Sequence, residues 1–445
     1  MIWIYNILLS LGSLLWVPWM ILRARKRKEP VDWKERSGDY RFKLPKGVPR
    51  LWLHAVSVGE VMAALPILRE VRTQAPNLEI VLSVTTSSGH KTASEKAEGL
   101  FDHLVYYPID VYRFVLAALV RIRPSVVAVM ETELWMNFLD ASHNMGVKTL
   151  LVNGRISDRS FPRAKVFGFF YRDLLRRMDR CLMQTATDAD RIRELGGQSV
   201  EIYGNCKFDE ALQGVEADGE HWRKELGLDP TVPVIVVGST RSEIEEHLIV
   251  QAIKELRVQV LWAPRHLERA EPLQRTLTQE GISVKRRTVD ARLAPVPDLS
   301  TSQELRSTSI AEGGVPQVLL IDTYGELSAI YSVADIVVIG GGFDRLGGQN
   351  LIQPLAHGKP VLHGPHMQNF KDVSQAALLA GATEVVSTSG ELLAALKKLL
   401  ADEEERTRRG KAAQKLVRAN VGASRRYAEA IVEASKAPDP WKPRT

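Results

Sequence analysis

Short apolar runs alternate with stretches of helical periodicity over most of the chain from residue 50 onward. This pattern is typical of parallel sheets whose connecting helices cover both faces. The first half contains the apolar runs Arg50–His54, Ile80–Val84, Leu104–Tyr106, Val126–Met130, Lys148–Val152, Cys181–Met183 and Val200–Tyr203. A second set consists of Val234–Val237, Val258–Trp262, Val318–Ile321, Ile336–Ile339 and Pro360–Leu362. The sequence therefore predicts an α/β protein with two doubly wound parallel sheets.

The polar segment between the two sets, Asp209–Pro233, contains no apolar run of strand length. It marks the boundary between two Rossmann-like domains that are expected to face a central cleft. At 445 residues, the chain is long enough for two or three domains of ~150 residues each. We predict an N-terminal domain over 30–208, a C-terminal domain over 220–420, and a helix end and tail over 421–445. Residues 287–317 are rich in Pro, Ser, Thr and charge, which predicts a surface insertion or a long loop.

Residues 2–22 contain no charged side chain, and five basic residues follow between Arg23 and Lys28. In a helix, these 21 residues at ~1.5 Å each would cover a ~30 Å hydrocarbon core. A signal peptide would carry its positive charge before the apolar run, so we predict a retained membrane anchor over residues 1–22. The positive-inside rule places the later residues on the cytoplasmic side, with the basic cluster against anionic lipids. Asn6 and Pro18 weaken a clean spanning helix, so the anchor either crosses the membrane once or lies in its surface.

The formal net charge of +6 is modest, and much of it lies in that basic cluster, so no nucleic-acid partner is predicted. The two cysteines, Cys181 and Cys206, define neither a disulfide framework nor a metal-ligand spacing, which favours a reducing compartment. The sequence has no HExxH motif, no paired CxxC and no carboxylate cage. We therefore predict neither a metal nor a cofactor.

The segment Leu51–Glu60 combines an apolar strand, a tight turn and the first turn of a helix. In doubly wound proteins such a turn lies at the carboxyl edge of the sheet, where ligands bind. A helix N-terminus there usually attracts an anion, but here the chain places its own carboxylate, Glu60, in that position. Glu60 is suited to a hydroxyl or ammonium group that shares a proton. Helix capping and the macrodipole also favour glutamate at this position without any catalytic role.

The most glycine-dense segment, Gly340–Asn350, follows one predicted strand and precedes a helix. Glycine lets a ligand approach the backbone closely, and the N–H groups that open a helix suit a phosphate. The spacing is neither that of a P-loop nor GxGxxG. The segment predicts either a nucleotide-phosphate site or a turn with packing duties only.

Further charged residues lie where predicted strands end. Glu131 and Glu133 follow the run Val126–Met130, Arg265 follows a strand of the second half, and Lys207 lies just past the last strand of the first half. A guanidinium binds phosphate or carboxylate bidentately, and a lysine supplies a point positive charge. Each of these residues also fits an ordinary role, as a helix cap or a solvated surface charge.

Six motifs together resemble the Kdo transferases of lipid A assembly, and the resemblance runs from the anchor to about residue 420. They are His54–Glu60 (HAVSVGE), Met130–Trp135 (METELW), Gly204–Asp209 (GNCKFD), Pro264–His266 (PRH), Asp322–Leu327 (DTYGEL) and Gly347–Asn350 (GGQN). The HAVSVGE segment is specific to this family rather than to glycosyltransferases in general. The resemblance implies a GT-B fold and an inverting transfer of Kdo (3-deoxy-D-manno-octulosonic acid) from CMP-Kdo to the lipid A precursor lipid IVA, at the cell inner membrane.

By the same resemblance, Glu60 is expected to be the general base, and Glu131 and Lys207 are expected to stabilise the transition state. The positions expected to contact CMP are Pro264, Arg265, Tyr324, Gly325, Glu326, Asn350, Leu351, Ile352 and Gln353. A sugar hydroxyl is a poor nucleophile at neutral pH unless a carboxylate takes its proton. Cations and backbone N–H groups can offset the charge on departing CMP. The chemistry therefore suits these expected roles.

Two positions depart from the family pattern. Many relatives have His-Asn-Pro-Leu-Glu where this chain has Gln349–Gln353, so an amide replaces the acidic residue expected to accept from the ribose hydroxyls. The carbonyl oxygen of Gln353 is a weaker acceptor than a carboxylate. Tyr324 stands in place of the more usual methionine. Both changes bear on nucleotide affinity and leave the expected base untouched.

Two other functions fit the sequence. A GT-B transferase that uses a UDP-sugar on another membrane lipid would share the fold and the anchor. A membrane-tethered binding protein that has lost catalysis would explain the amide at Gln353.

Overall fold

The computed structural model describes residues 2–12, 32–41, 47–158, 160–213, 215, 218–290 and 317–442. These residues form two compact units, and the boundary falls between Glu210 and Ala211, with the chain returning to the first unit at Val421. Each unit is built around one seven-stranded sheet, and the paired strands are parallel. The predicted α/β class with two parallel sheets is confirmed.

The first unit contains the strands that the apolar runs predicted, with small changes at their ends. The strands are β1 (Arg50–His54), β2 (Glu79–Val84), β3 (His103–Tyr106), β4 (Val126–Met130), β5 (Lys148–Gly154), β6 (Arg180–Met183) and β7 (Val200–Ile202). Their order across the sheet is β3-β2-β1-β4-β5-β6-β7. The helices are α1 (residues 2–12), α2 (Trp33–Arg36), α3 (Val58–Gln74), α4 (Ser87–Lys96), α5 (Tyr112–Ile122), α6 (Met136–Asn144), α7 (Ser160–Val166), α8 (Gly168–Leu175), α9 (Ala186–Glu194) and α10 (Lys207–Gln213), which contains the unit boundary.

Helices cover both faces of this sheet, which explains why its central strands are apolar at successive positions rather than at alternate ones. Leu51 and Leu53 of β1 pack with α3 and with the last helix of the chain, α20 (Ala423–Ser435). Trp52 points to the opposite face and packs with α5 and α6. Since β1 and β4 are central and parallel, their carboxyl ends lie side by side at one edge.

The second unit repeats the architecture with its own strands. They are β8 (Val234–Thr240), β9 (Gln259–Pro264), β10 (Ser283–Arg286), β11 (Gln317–Leu320), β12 (Ile336–Ile339), β13 (Val361–His363) and β14 (Thr383–Val385), in the order β10-β11-β9-β8-β12-β13-β14. The helices are α11 (Gly219–Glu225), α12 (Glu243–Ile253), α13 (Ala270–Gln279), α14 (Arg287–Asp290), α15 (Leu327–Ile330), α16 (Ile352–Ala356), α17 (Lys371–Leu379), α18 (Ser389–Ala401) and α19 (Glu403–Asn420).

The sequence did not predict β10 and β14. Both are outermost strands of the second sheet, and they are short and only partly buried, so they present no apolar run. The predicted insertion over 287–317 lies mostly outside the described residues, and its first four residues form α14.

The predicted membrane anchor lies only partly within the described residues. Residues 2–12 are helical, whereas residues 13–22 and the basic cluster that follows them lie outside the described residues. None of the helices that the structure describes is both long and apolar enough to cross a bilayer. One face of α1 packs on the first unit, where the Tyr5 hydroxyl donates to the Asp110 carboxylate at 2.8 Å.

Candidate active site

The turn between β1 and α3 carries the first candidate group, Glu60. Helix α3 begins at Val58 with Ser57 as its N-cap, so Glu60 lies in the first helical turn. The glutamate bends back over the turn. Its Oε2 accepts from the backbone N–H of Val56 at 2.8 Å, and its Oε1 accepts from the Ser57 hydroxyl at 3.2 Å. Because an ionised carboxylate has about four acceptor positions, Glu60 retains lone pairs for a further proton donor.

Burial controls the protonation of Glu60, whose residue surface is only 8% exposed. Burial, helped by the carboxylates of Glu131 and Glu133, raises the pKa of Glu60 to about 7, against the lowering effect of its two hydrogen bonds. Burial and Glu131 also raise the pKa of Glu133. A carboxylate with a pKa close to neutral pH is suited to accept a proton from a hydroxyl group.

Glu131 follows the last residue of β4 and adopts a left-handed conformation, with a φ of 54°. Its backbone N–H donates to the carbonyl oxygen of Val152 in the neighbouring strand β5 at 3.0 Å. Such a conformation costs energy in a residue other than glycine, and it persists only where the surrounding structure imposes it. Since Glu131 acts electrostatically on Glu60, the structure brings these two predicted site residues together at one edge of the sheet.

Lys207 begins helix α10, just beyond the last strand of the first sheet. Burial raises the pKa of Glu210, and the positive charges of Lys207 and Arg69 oppose that rise, so Lys207 lies close to an acidic partner on its own helix. The role of the Lys207 ammonium group in the reaction stays a prediction.

Asn153 is the next-to-last residue of β5, beside the Glu131 turn, and the sequence motifs did not include it. Asn153 is fully buried and left-handed, with a φ of 51°. Its Oδ1 accepts from the backbone N–H of Cys206 at 3.3 Å, which connects β5 to the turn that precedes Lys207. Its Nδ2 has no hydrogen-bond partner within the described part of the chain. An asparagine directly before a glycine at a strand end was the available signal, because asparagine tolerates the left-handed region.

His54, the last residue of β1, is a second buried polar group at this edge. Its ring stacks on Tyr107 with centroids 3.8 Å apart, and its Nδ1 lies 2.9 Å from the Ser83 hydroxyl oxygen. Burial lowers the pKa of His54 to about 3. The imidazole is therefore neutral at neutral pH and supplies no positive charge to the site.

The residues predicted to contact CMP follow strands of the second sheet. Pro264 is the last residue of β9, and Arg265 comes directly after it. The backbone N–H of Arg265 donates to the carbonyl oxygen of Thr240 at 2.8 Å, whereas its side chain is exposed to solvent. The strand end therefore holds the Arg265 backbone and leaves the guanidinium available to an anion.

Tyr324, Gly325 and Glu326 follow β11. Tyr324 is 72% exposed, and Gly325 has a φ of 94°, which favours glycine. The Glu326 carboxylate forms an ion pair of 2.9 Å with Arg287 and accepts from the Thr323 hydroxyl. Burial alone would raise the pKa of Glu326, but these two partners hold it below its usual range. Any nucleotide contact by Glu326 must use its remaining acceptor positions.

Asn350, Leu351, Ile352 and Gln353 open helix α16. The Asn350 Oδ1 accepts from the backbone N–H of Ile352 at 2.9 Å. The side chains of Leu351 and Ile352 are fully buried, so these two residues can reach a nucleotide only through their backbone. Gln353 is half-buried in the first helical turn.

The glycine-rich turn after β12 packs tightly against the end of β8. A Cβ atom on Gly340 would lie 2.6 Å from the Cα of Thr240, which leaves no room for a side chain there. Glu245 is fully buried, and its Oε2 accepts from the backbone N–H of Gly341 at 2.5 Å. Ser242 and Glu245 also form a capping box at the start of α12. Glu245 therefore joins the glycine-rich turn to a helix N-terminus.

Among the described residues, no group of three or more His, Cys, Asp or Glu side chains is placed to hold a metal ion.

The two seven-stranded parallel sheets, with candidate residues at their carboxyl edges, define a two-domain α/β protein of the GT-B class. The chain is similar in fold to MurG of Acinetobacter baumannii, with a TM-score of 0.55 at 12% identity, over 86% of this chain and 99% of that one. It is also similar to a putative UDP-N-acetylglucosamine 2-epimerase of Listeria monocytogenes, with a TM-score of 0.58 at 13% identity, over 87% and 96% of the two chains. At these identities the likeness concerns the fold alone.

Sequence comparison narrows this class. A family model described as 3-deoxy-D-manno-octulosonic-acid transferase (kdotransferase) matches residues 31–210. The 3-deoxy-D-manno-octulosonic acid transferase of Bordetella pertussis is 32% identical over 95% of this chain and 96% of its own length. The enzyme of the same name from Haemophilus influenzae is 28% identical over 87% of each chain. The chain belongs to the Kdo transferase family and is a glycosyltransferase.

Proposed function

We propose that this enzyme transfers Kdo from CMP-Kdo to lipid IVA, with inversion at the anomeric carbon, in the synthesis of lipopolysaccharide. The observation that carries the proposal is the buried Glu60 carboxylate at the carboxyl edge of the first sheet, with a pKa of about 7. At that pKa a large fraction of the carboxylate is ionised at neutral pH, yet its proton affinity stays high enough for general-base catalysis.

In the proposed reaction, Glu60 accepts the proton of one acceptor sugar hydroxyl. The hydroxyl oxygen forms a bond to the anomeric carbon of Kdo while the bond from that carbon to the CMP phosphate oxygen breaks, and CMP leaves with the bonding electrons. Positive charge develops on the sugar as the leaving group departs. The negative charge of Glu131, close to Glu60, can stabilise that charge, and Lys207 can offset the charge of the phosphate.

The second unit is the proposed nucleotide site. The exposed guanidinium of Arg265 can pair with the CMP phosphate, and the backbone N–H groups of the turn before α16 can donate to it. Gln353, in the first turn of α16, can accept from a ribose hydroxyl through its amide oxygen. Each of these contacts uses a group that lies at the carboxyl edge of the second sheet.

The outward face of α1 supports a placement in the membrane surface. Trp3 on this face is 81% exposed, and a second exposed apolar segment lies at the junction of α7 and α8. The two segments adjoin where the rings of Tyr5 and Phe170 approach to 6.0 Å between centroids. We call the two segments together the apolar–basic surface, and its exposed members are Trp3, Ile4, Ile7, Leu8, Leu11, Val166, Phe167 and Phe169, with Arg163, Lys165, Arg172 and Arg176.

Exposed aromatic and aliphatic side chains next to several cations match an anionic bilayer surface, where apolar burial and electrostatic attraction add. Tyr5 and Asn6 hydrogen-bond to the first unit, so this part of α1 lies against folded protein. We therefore propose that α1 lies in the plane of the inner-membrane surface, with the two units on the cytoplasmic side.

Incubation of the full-length protein with CMP-Kdo and lipid IVA, followed by mass spectrometry of the lipid, tests the function. The expected result is a product heavier by one or more Kdo residues. Glu60→Gln should bind CMP like the wild type and lose nearly all transfer, while the exposed control Glu98→Gln should keep it. Wild-type-like turnover by Glu60→Gln would disprove the base assignment.

Nucleotide binding by the same purified protein distinguishes the proposed function from the two alternatives. Stabilisation by UDP in preference to CMP in a thermal-shift assay would favour a UDP-sugar transferase. CMP binding without any transfer would favour a binding protein.

A further inference from the structure

Asp110 is a buried carboxylate that precedes α5 and caps the N-terminus of the next helix, α6. Its Oδ1 accepts from the backbone N–H of Phe138 at 2.9 Å, and its Oδ2 accepts from the backbone N–H of Asn137 at 3.1 Å. These are two of the N–H groups that open α6 and have no partner within the helix. Asp110 therefore fixes the position of the α6 N-terminus.

Helix α1 completes this cap from the outside. The Tyr5 hydroxyl donates to the Oδ2 of Asp110 at 2.8 Å. The side-chain amides of Asn6 and Asn137 donate to each other, with N to O distances of 2.9 and 2.8 Å. Asn137 also donates through its Nδ2 to the carbonyl oxygen of Asp110 at 2.5 Å. Of two successive residues of α1, Asn6 is thus bonded to the first turn of α6, and Tyr5 is bonded to the carboxylate that caps it.

The loop that ends at α6 carries the candidate catalytic carboxylate. Residues 131–135 connect β4 to α6, and Trp135 is the N-cap of the helix. At one end of this loop, Glu131 has a left-handed backbone that its surroundings must impose. At the other end, the loop enters a helix whose start is held by Asp110 and Asn137. A shift of the α6 N-terminus would therefore be transmitted to this short loop through Trp135, where the loop joins the helix.

We propose that Tyr5 and Asn6 are positioning residues for the transfer reaction, because they hold the start of α6 and thereby the geometry of the loop 131–135. The proposal rests on the proposed function, in which Glu131 stabilises the transition state. It implies that α1 is more than a tether. The outer face of α1 forms part of the apolar–basic surface, and its inner face helps to hold the start of α6. The packing of α1 on the rest of the first unit should therefore affect kcat.

The test compares the full-length wild type with Tyr5→Phe, Asn6→Ala and the double variant, assayed with lipid IVA in detergent micelles so that membrane recruitment is not limiting. Tyr5→Phe keeps the ring beside Phe170 and removes only the hydroxyl group. The expected result is a kcat lower by about fivefold or more in the double variant, with smaller losses in the single variants. The KM for CMP-Kdo should stay within about twofold of the wild-type value.

The matched control is Tyr40→Phe, which removes a buried tyrosine hydroxyl from the same core without touching α6, since this hydroxyl donates to the carbonyl oxygen of Tyr106 at 3.1 Å. Its kcat should match the wild type. A double variant with unchanged kcat, or a Tyr40→Phe variant with the same loss, would overturn the inference. If the double variant does not fold, the kcat of Tyr5→Phe alone is compared with that of the wild type, and an unchanged value would overturn the inference. A wild type that transfers no Kdo would instead disprove the proposed function.

Discussion

The carboxylate of Glu60 accepts a hydrogen bond of 2.8 Å from the backbone N–H of Val56, so this glutamate caps the turn that precedes its own helix. A cap of this kind favours the ionised carboxylate and lowers its pKa. Burial and two neighbouring carboxylates act in the opposite direction and prevail, which leaves the pKa at about 7. Capping and proton acceptance are therefore compatible in one residue. The cap orients the carboxylate, and burial makes it basic enough to take a proton.

The first prediction concerns the pH dependence of transfer. Because only ionised Glu60 can accept a proton, kcat should rise with pH and level off above an apparent pKa near 7. Glu133→Gln removes a negative charge that raises the pKa of Glu60, so the rising limb should move to lower pH. The measurement is the initial rate of transfer at saturating substrates between about pH 5 and pH 9.

The pKa values of two other buried groups help to show which residue causes the rising limb of the pH profile. His54 has a pKa of about 3 and remains neutral over the whole range, so it cannot cause the limb. Burial raises the pKa of Asp110 to about 7 against its hydrogen bonds with Tyr5, Asn137 and Phe138, and Glu133→Gln changes none of these. A limb that does not move in Glu133→Gln would therefore argue against Glu60 as its origin.

Much of the fold was predictable because parallel sheets covered on both faces give uninterrupted apolar strands. Val126–Met130 is fully buried and was predicted with its observed bounds. By contrast, β14 (Thr383–Val385) lies at a sheet edge and contains one half-buried and one exposed residue, so its sequence resembles a loop. The hydrophobic periodicity of a sequence reflects which residues are buried. Edge strands bury few residues, so they show little periodicity.

The contacts that hold the candidate site residues were predictable only where the two partners are close in the sequence. Glu60 is held by the backbone of Val56, four residues away, and the motif contains both residues. The cap at the start of α6 involves Asp110 and Tyr5, which are more than a hundred residues apart. A contact of that kind leaves no spacing pattern in one sequence. Similarly, Arg287 occupies part of the Glu326 carboxylate, and no local motif indicated this pair.

The second prediction tests the phosphate contact of Arg265. This side chain is exposed, so its removal should leave the fold intact. Arg265→Ala should weaken CMP binding by about tenfold, in keeping with the loss of a hydrogen bond to a charged group. Calorimetry with CMP and with cytidine shows whether the phosphate contact is the cause of the weaker binding. Because cytidine has no phosphate, it should bind the wild type and the variant equally.

Arg275→Ala is the control, because Arg275 is an exposed arginine of the same unit that pairs with Glu271 at 3.3 Å. It should bind CMP like the wild type. Equal weakening of CMP and cytidine in Arg265→Ala would point to a changed pocket rather than to a phosphate contact.

The third prediction concerns the amide at position 353. Gln353 lies in the first turn of α16, where a carboxylate would also interact favourably with the helix dipole. Gln353→Glu should tighten CMP binding by about three- to tenfold, since a carboxylate accepts from ribose hydroxyls more strongly than an amide does. A titration with 2′,3′-dideoxy-CMP provides the comparison. The variant should show no gain with this ligand, and an equal gain would show that the ribose hydroxyls are not the cause.

The last prediction concerns Glu245, which holds the glycine-rich turn of the second unit. Its carboxylate accepts from the backbone N–H groups of Gly341 at 2.5 Å and Ser242 at 3.2 Å, and also from that of Arg241. In Glu245→Gln, the amide NH2 group would face one of these buried N–H donors and leave it without an acceptor. An unsatisfied buried donor costs about 1–3 kcal/mol, so the turn should open more often. Hydrogen exchange over residues 340–348 should become faster, and CMP should bind more weakly. The matched control is Glu243→Gln, which changes an exposed glutamate in the same helical turn and should affect neither measurement.

If the two variants show the same hydrogen exchange and the same CMP affinity, Glu245 does not hold the turn. The glycine-rich segment must then owe its conformation to its packing against Thr240.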